Sequence, residues 1–120
     1  MTAKTKELME MLSHSAPCGE EHEYAEFLVQ KLKALGFCEN IEIDKFNNVI
    51  ARIPGKNKYT LMLEAHYDEI GLVVTEITEN GFLRVLRVGG TDRRTMLASE
   101  VIVNGLPGVV CSVPPHLMKP

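Results

Sequence analysis

The amino-acid sequence predicts an α/β fold that passes into an all-β segment. Before Gly71, apolar residues recur at helical spacing in two stretches and form short strand-like runs between turns. After Gly71 the helical spacing disappears, and short apolar runs alternate with turn residues. We therefore expect two domains, with helices and a sheet in residues 1–70 and a β-rich domain in residues 71–120.

Two helices are predicted to open the chain. Leu8, Met11 and Leu12 fall on one helical face, although this stripe is short. A stronger amphipathic stripe runs over residues 24–35 and stops at Gly36, a residue type that commonly ends helices. The second helix should therefore be the better packed of the two.

Three strands are predicted in the first domain. They are Ile41–Asp44, Val49–Ile53 and Tyr59–Ala65, with Asn47-Asn48 as the turn between the first two. The third is the most apolar, so it is predicted to be a central strand with both faces covered in a complete sheet. In this chain alone, the apolar area that such a sheet covers should meet water.

Four further strands are predicted in the β-rich domain. Turn residues separate them, and the Asn-Gly pair at residues 104–105 is typical of a tight hairpin. The predicted strands are Leu72–Ile77, Phe82–Val88, Val101–Val103 and Val109–Ser112.

Composition excludes several classes of partner and site. The net charge is −3, and acidic and basic residues are interspersed, so neither nucleic acid nor an anionic membrane is an expected partner. No apolar run approaches the ~20 residues that span a bilayer, and no signal peptide is recognisable, so we expect a cytoplasmic protein. The three cysteines lack a Cys-x-x-Cys pairing and are expected to be small buried side chains.

The most informative stretch is the end of the third predicted strand. An apolar run stops abruptly at His66, and carboxylates follow at Asp68 and Glu69. Burying such groups without partners costs roughly 2 kcal/mol or more each, and a cation is a partner that suits imidazole with carboxylate. Side chains alternate along a strand, so His66 and Asp68 should share one side. A hydrogen-bonded strand end that faces water explains the same spacing equally well.

Five sequence pieces, in the same order, resemble the dinuclear-metal aminopeptidases of the glutamyl/leucyl-aminopeptidase family. That family includes tetrahedral aminopeptidases and proteins labelled cellulase or endoglucanase. The pieces are Pro17-Cys18-Gly19-Glu20-Glu21, Asn47-Asn48-Val49-Ile50-Ala51, Ala65-His66-Tyr67-Asp68-Glu69-Ile70-Gly71, Gly89-Gly90, and Gly108-Val109-Val110 followed by Pro114-Pro115-His116-Leu117. Cys18 stands where the family commonly has serine, and the match corresponds to about the first third of such an enzyme.

The resemblance implies a fold and a site. Residues 1–70 would begin the α/β/α layer of a metallopeptidase catalytic domain, and residues 71–120 would form much of a small, barrel-like assembly domain. His66 would be a ligand of one of two divalent metal ions, zinc or cobalt. Asp68 would be the catalytic-site carboxylate that orients His66 and raises its basicity. Tyr67 and Glu69 would pack or form hydrogen bonds locally.

The same resemblance implies an activity for the complete enzyme. It would remove amino-terminal residues from peptides and would assemble as a homo-oligomer. The remaining metal ligands and the general base come from sequence beyond this match, so the 120-residue chain is expected to be inactive alone and need not hold either ion. No pair of carboxylates is singled out for glycoside hydrolysis.

The remaining histidines, His14, His22 and His116, are expected to be structural or exposed, with no role assigned to His116.

One alternative function stays open. The chain could also be a noncatalytic assembly or interaction module derived from the same family. Exposed strand edges and an uncovered apolar face would suit such a module.

Overall fold

The computed structural model describes residues 1–113 and residue 116. The described residues form two compact units, and the division between them falls between Gly89 and Gly90. These units do not coincide with the predicted boundary near Gly71, and the assignment of residues 71–120 to an assembly domain stays a prediction. The elements are α1 (Ala3–Leu12), α2 (His22–Ala34), β1 (Glu39–Ile43), β2 (Val49–Arg52), β3 (Gly71–Ile77), β4 (Leu83–Val88), α3 (Arg93–Met96), β5 (Glu100–Val103) and β6 (Leu106–Val109).

Both predicted amino-terminal helices are confirmed. The side chain of Thr2 caps α1 by accepting a hydrogen bond from the backbone N–H of Thr5. Helix α2 ends as expected, because Gly36 follows it with a φ of +74°, a conformation that glycine adopts without strain. Lys31 of α2 forms an ion pair with Glu10 of α1.

The first unit has a small core along α2. The buried apolar residues among those described are Ala16, Tyr24, Ala25 and Val29. Three of them lie on α2, whose buried face packs against the antiparallel pair of β1 and β2. By contrast, α1 buries none of its residues. The helix with the stronger amphipathic stripe, α2, is therefore the better packed of the two, as its pattern predicted.

The predicted strand at Tyr59–Ala65 is not formed. Among the described residues no strand pairs with it, and Tyr59 and Leu63 are 78% and 88% exposed. A strand needs a neighbour whose backbone N–H and C=O groups complete its hydrogen bonds, and apolar sequence alone does not provide one. The expectation that this apolar run meets water in the isolated chain is confirmed.

Two hairpins follow Gly71. In the first unit, β3 pairs antiparallel with β4, and the pairing register shifts between Val74 and Glu76. In the second unit, β5 pairs antiparallel with β6. The loop between these two strands is Asn104-Gly105, and both residues have positive φ, which is the tight turn that this pair favours.

Two details of the second unit differ from the prediction. The last strand is Leu106–Val109, whereas Val109–Ser112 was predicted. The two-residue turn brings Val103 opposite Leu106, so pairing begins immediately after Gly105. The short helix α3 was not predicted; Asp92 caps it by accepting a hydrogen bond from the backbone N–H of Arg94.

The α/β class holds at the level of helices combined with small antiparallel sheets. The described strands form three separate two-stranded sheets. A three-layered arrangement and a barrel are therefore not features of the described residues.

Candidate functional site

His66 and Asp68 form a hydrogen-bonded pair. The Nδ1 atom of His66 lies 3.0 Å from Oδ1 of Asp68 and 3.1 Å from the backbone oxygen of Asp68. A carbonyl oxygen has no proton to donate, so Nδ1 must carry the proton and donate it. In the neutral ring, the lone pair then lies on Nε2. This is the tautomer that can offer Nε2 to a cation.

The pair lies at the surface. The side chain of His66 is 85% exposed, and that of Asp68 is 44% exposed. A cation could therefore reach the imidazole without any rearrangement of the core. The same geometry also fits the second interpretation of the sequence, a hydrogen-bonded chain end that faces water.

Tyr67 anchors the segment to other parts of the first unit. Its hydroxyl donates a hydrogen bond to the backbone oxygen of Asn47, and its ring meets that of Tyr24 edge-on at 5.5 Å between centroids. Burial raises the pKa of the Tyr67 phenol, and the negative charge of Glu21 adds to the effect. The raised pKa keeps the phenol protonated, so the hydroxyl stays a donor to Asn47.

Glu69 forms the second anchor. Its Oε1 atom accepts hydrogen bonds from Ser15 Oγ at 2.7 Å and from the backbone N–H of Ala16 at 3.0 Å. Its backbone N–H donates to the oxygen of Ala16 at 2.8 Å, and its backbone oxygen accepts from Cys18 N–H at 3.2 Å. Tyr67 and Glu69 therefore pack and form hydrogen bonds, as predicted, but their partners are distant in sequence and not local.

Glu21 and Asn47 connect these anchors to the start of α2. Glu21 accepts a hydrogen bond from the backbone N–H of Gly19 at 2.6 Å, and Asn47 Nδ2 donates to the other oxygen of Glu21 at 3.4 Å. The Gly19 hydrogen bond is the largest cause that lowers the pKa of Glu21. The chain thus brings together the first three sequence pieces, which are separated by tens of residues.

Close packing at Gly71 completes this arrangement. A Cβ atom at Gly71 would lie 3.0 Å from Cβ of Pro17, which is tighter than ordinary contact. Glycine at this position therefore lets the loop before α2 approach the chain directly after Glu69. The anchoring role of this loop was not predicted, because hydrogen bonds between residues 15–18 and 69 leave no periodic pattern in the sequence.

The other histidines have different surroundings. The ring of His14 packs on Phe27 at 3.9 Å between centroids, and His22 Nε2 lies 3.3 Å from Glu26 on the same helix. Both arrangements agree with the structural or exposed roles that were expected. His116 is exposed, and its neighbours Pro114, Pro115 and Leu117 lie outside the described residues.

The donor set can be tested against a metal ion. In residues 1–113 and 116, no group of three or more histidine, cysteine, aspartate or glutamate side chains could hold one. His66, held at Nδ1 by Asp68, fits the role of a single ligand. Further ligands would have to come from elsewhere.

No helix in the described part of the chain is long and apolar enough to cross a membrane.

Comparisons with known proteins bear on this site. Residues 47–120 match the M42 glutamyl aminopeptidase family. The lysyl aminopeptidase of Pyrococcus furiosus is 38% identical over 68% of this chain and 24% of its own length. The family match, over residues 47–120, includes the segment that carries His66 and Asp68.

Two solved structures are also similar to this chain. A structure from Thermotoga maritima described as an endoglucanase has a TM-score of 0.77 and 33% identity, covering 88% of this chain and 34% of that one. A structure described as a dodecamer of PhTET1-12s has a TM-score of 0.75 and 30% identity, covering 99% of this chain and 36% of that one.

The matches cover only part of each relative. The chain spans 24% to 33% of the length of the curated relatives it matches. The family match covers more than half of the chain, and its members are metal-dependent aminopeptidases. This chain therefore belongs to the M42 glutamyl aminopeptidase family.

Proposed function

We propose that this chain is the amino-terminal portion of a dinuclear-metal aminopeptidase, and that His66 binds one of two divalent ions, zinc or cobalt. The observation that carries the proposal is the hydrogen bond from His66 Nδ1 to Asp68, which leaves the Nε2 lone pair for a cation. Histidines that bind metals commonly donate their other ring N–H to a carboxylate or carbonyl group.

Asp68 has an orienting role in this proposal. Its carboxylate and its backbone oxygen both accept from Nδ1, so rotation of the ring would break both contacts. A negative charge beside the ring N–H also raises the basicity of the Nε2 donor. Bound metal would polarise the scissile carbonyl of a peptide as a Lewis acid.

The complete enzyme needs groups beyond this part. A dinuclear centre requires several ligands and a general base, whereas the described residues provide one imidazole with its carboxylate partner. The α/β/α layer, the remaining ligands and the base would come from further sequence. The 120-residue chain alone would have no significant peptidase activity.

Assembly is part of the same proposal. Residues 71–120 would belong to a barrel-like assembly domain, and the complete protein would form a homo-oligomer. Support comes from the dodecamer named in the PhTET1-12s structure, to which 99% of this chain aligns. Peptides are the proposed substrates, and the cytoplasmic location stays a prediction from the sequence.

Hydrolysis of aminoacyl anilides tests the proposal. We expect turnover with added zinc or cobalt when the chain is joined to its downstream coding sequence, and none from the 120 residues alone. His66→Ala should abolish the turnover, whereas His22→Ala is the matched control, since His22 is exposed and pairs only with Glu26 among the described residues. Full activity of His66→Ala would refute the role of His66.

A noncatalytic assembly module is the second candidate. The exposed apolar run at Tyr59–Leu63 favours it, because such a surface suits coverage by another chain. A stop codon directly after residue 120 in the gene would favour this module. Coding sequence that continues into a carboxylate-rich half would favour the aminopeptidase.

A further inference from the structure

The segment that carries the candidate ligand is held in an unusual way. No described strand pairs with residues 66–68, and the one backbone bridge nearby joins Glu69 to Pro17. The conformation of His66 and Asp68 therefore does not come from a sheet. Contacts made by their immediate neighbours must fix it.

Those neighbours alternate in role along the segment. His66 and Asp68 bind each other at the surface, whereas Tyr67 and Glu69 reach back to parts of the chain that are distant in sequence. Tyr67 contacts a residue 20 positions away, and Glu69 contacts residues 53 and 54 positions away. The two functions therefore fall on alternate residues of the segment.

We infer that Tyr67 and Glu69 are positioning residues, which hold His66 in the Nδ1–H tautomer and in the orientation that its hydrogen bonds to Asp68 require. This inference rests on the proposed function for its biological use, since the positioned Nε2 is the proposed metal donor. The tautomer of His66 itself depends only on residues of this chain.

The physical reason is the geometry of two fixed points. The backbone of residues 66–69 must keep Asp68 within hydrogen-bond distance of His66 Nδ1, because both acceptors of this atom belong to Asp68. Tyr67 fixes this backbone before Asp68, and Glu69 fixes it directly after Asp68. Release of either point lets the backbone rotate and separates Nδ1 from its acceptors.

The chain offers variants that separate positioning from simple stability. Tyr67→Phe keeps the ring against Tyr24 and removes only the hydroxyl donor, whereas Glu69→Ala removes the acceptor for Ser15 and Ala16. Glu69→Gln keeps an oxygen acceptor of the same shape and should restore much of the effect. Glu64→Gln is the matched control, because Glu64 lies two residues before His66 and makes no hydrogen bond or ion pair among the described residues.

The readout is the tautomer of His66 in the metal-free 120-residue chain, measured by long-range ¹H–¹⁵N correlation at a pH of about 9, where imidazoles are neutral. We expect Nδ1–H to dominate in the wild type and in Glu64→Gln. In Tyr67→Phe and Glu69→Ala, the Nδ1–H to Nε2–H ratio should fall about two- to tenfold, the effect of one lost hydrogen bond. Glu69→Gln should fall less than Glu69→Ala.

Two further measurements separate the possible failures. The amide spectrum of α2 and of the β3–β4 hairpin reports whether each variant is folded; if Glu69→Ala unfolds, Tyr67→Phe and Ser15→Ala decide the question. Anilide hydrolysis by His66→Ala in the complete enzyme tests the proposed function separately. A tautomer ratio that stays at the wild-type value in folded variants would overturn the positioning role, whereas a changed ratio together with full turnover by His66→Ala would count against the metal site alone.

Discussion

Two halves of one stretch, residues 59–65 and residues 66–71, behave in opposite ways. The first half is strongly apolar, yet it forms no strand and its large side chains lie in water. The second half is polar, yet hydrogen bonds and close packing hold it against the loop before α2 and the β1–β2 turn, and the Tyr67 ring contacts Tyr24 of α2. An apolar run forms a strand only when a neighbouring strand can pair with it, whereas specific polar contacts can fix a segment within a small chain.

The largest expected effect comes from the buried ring that supports the second half. Tyr24→Ala should lower the free energy of unfolding by about 3 kcal/mol, since it leaves a cavity between Phe27 and Tyr67. The matched control is Tyr59→Ala, which removes the same ring from the exposed half and should change stability by less than about 0.5 kcal/mol. Urea denaturation measures both, and equal losses would erase the contrast between the two halves.

A smaller loss is expected where the loop meets the start of β3. Gly71→Ala places a Cβ atom 3.0 Å from Pro17 Cβ and should destabilise the first unit by about 1 kcal/mol. Gly55→Ala is its control, because nothing lies within 4 Å of a Cβ built there. Faster amide exchange at Glu69 in Gly71→Ala, but not in Gly55→Ala, would locate the loss at the anchor.

Acid should weaken the turn that holds the Tyr67 acceptor. Asp44 accepts hydrogen bonds from the side chain and the backbone of Asn48 and from the backbone of Phe46. These bonds, led by the Asn48 side chain, lower the pKa of Asp44. A lowered folded-state pKa adds stability above the unfolded value of about 3.9, and this stability is lost as pH falls through the folded pKa.

Asp44→Asn tests the direction of this pH dependence of stability. Asp44→Asn should reduce stability at pH 7 and flatten the decline of stability below a pH of about 4, because the group that titrates is gone. Thermal melts of both proteins from pH 7 to pH 2.5 measure the difference. A wild-type curve with the same acid slope as Asp44→Asn would contradict the assignment.

The smallest effect on stability is expected for substitutions in residues 59–65. These substitutions should change the self-association of the chain instead. The chain should form a dimer or larger species at micromolar concentration, because exposed apolar patches generally find partners. Leu63→Asp should shift it towards the 13.4 kDa monomer with a stability change below about 0.5 kcal/mol. Thr60→Asp, which adds the same charge at an exposed polar position, is the control, and a monomeric wild type in light scattering would refute the expectation.

The sequence by itself determined the elements whose causes are local. The amphipathic stripe of α2, its end at Gly36 and the Asn104-Gly105 turn depend on residues close together in the chain, so their patterns were sufficient. The sequence alone also indicated the family. Its motif contains His66 and Asp68, whose hydrogen bond joins residues only two positions apart.

Only the tertiary structure decided the features that depend on distant groups. The strand predicted at residues 59–65 required a neighbour that the described chain does not provide, and β6 followed the register set by its turn. The donors that meet Glu69 lie more than 50 residues away, and the carbonyl that meets Tyr67 lies in a separate hairpin. Side-chain hydrogen bonds over such separations leave no periodic pattern, so only the folded chain reveals which residues hold the site.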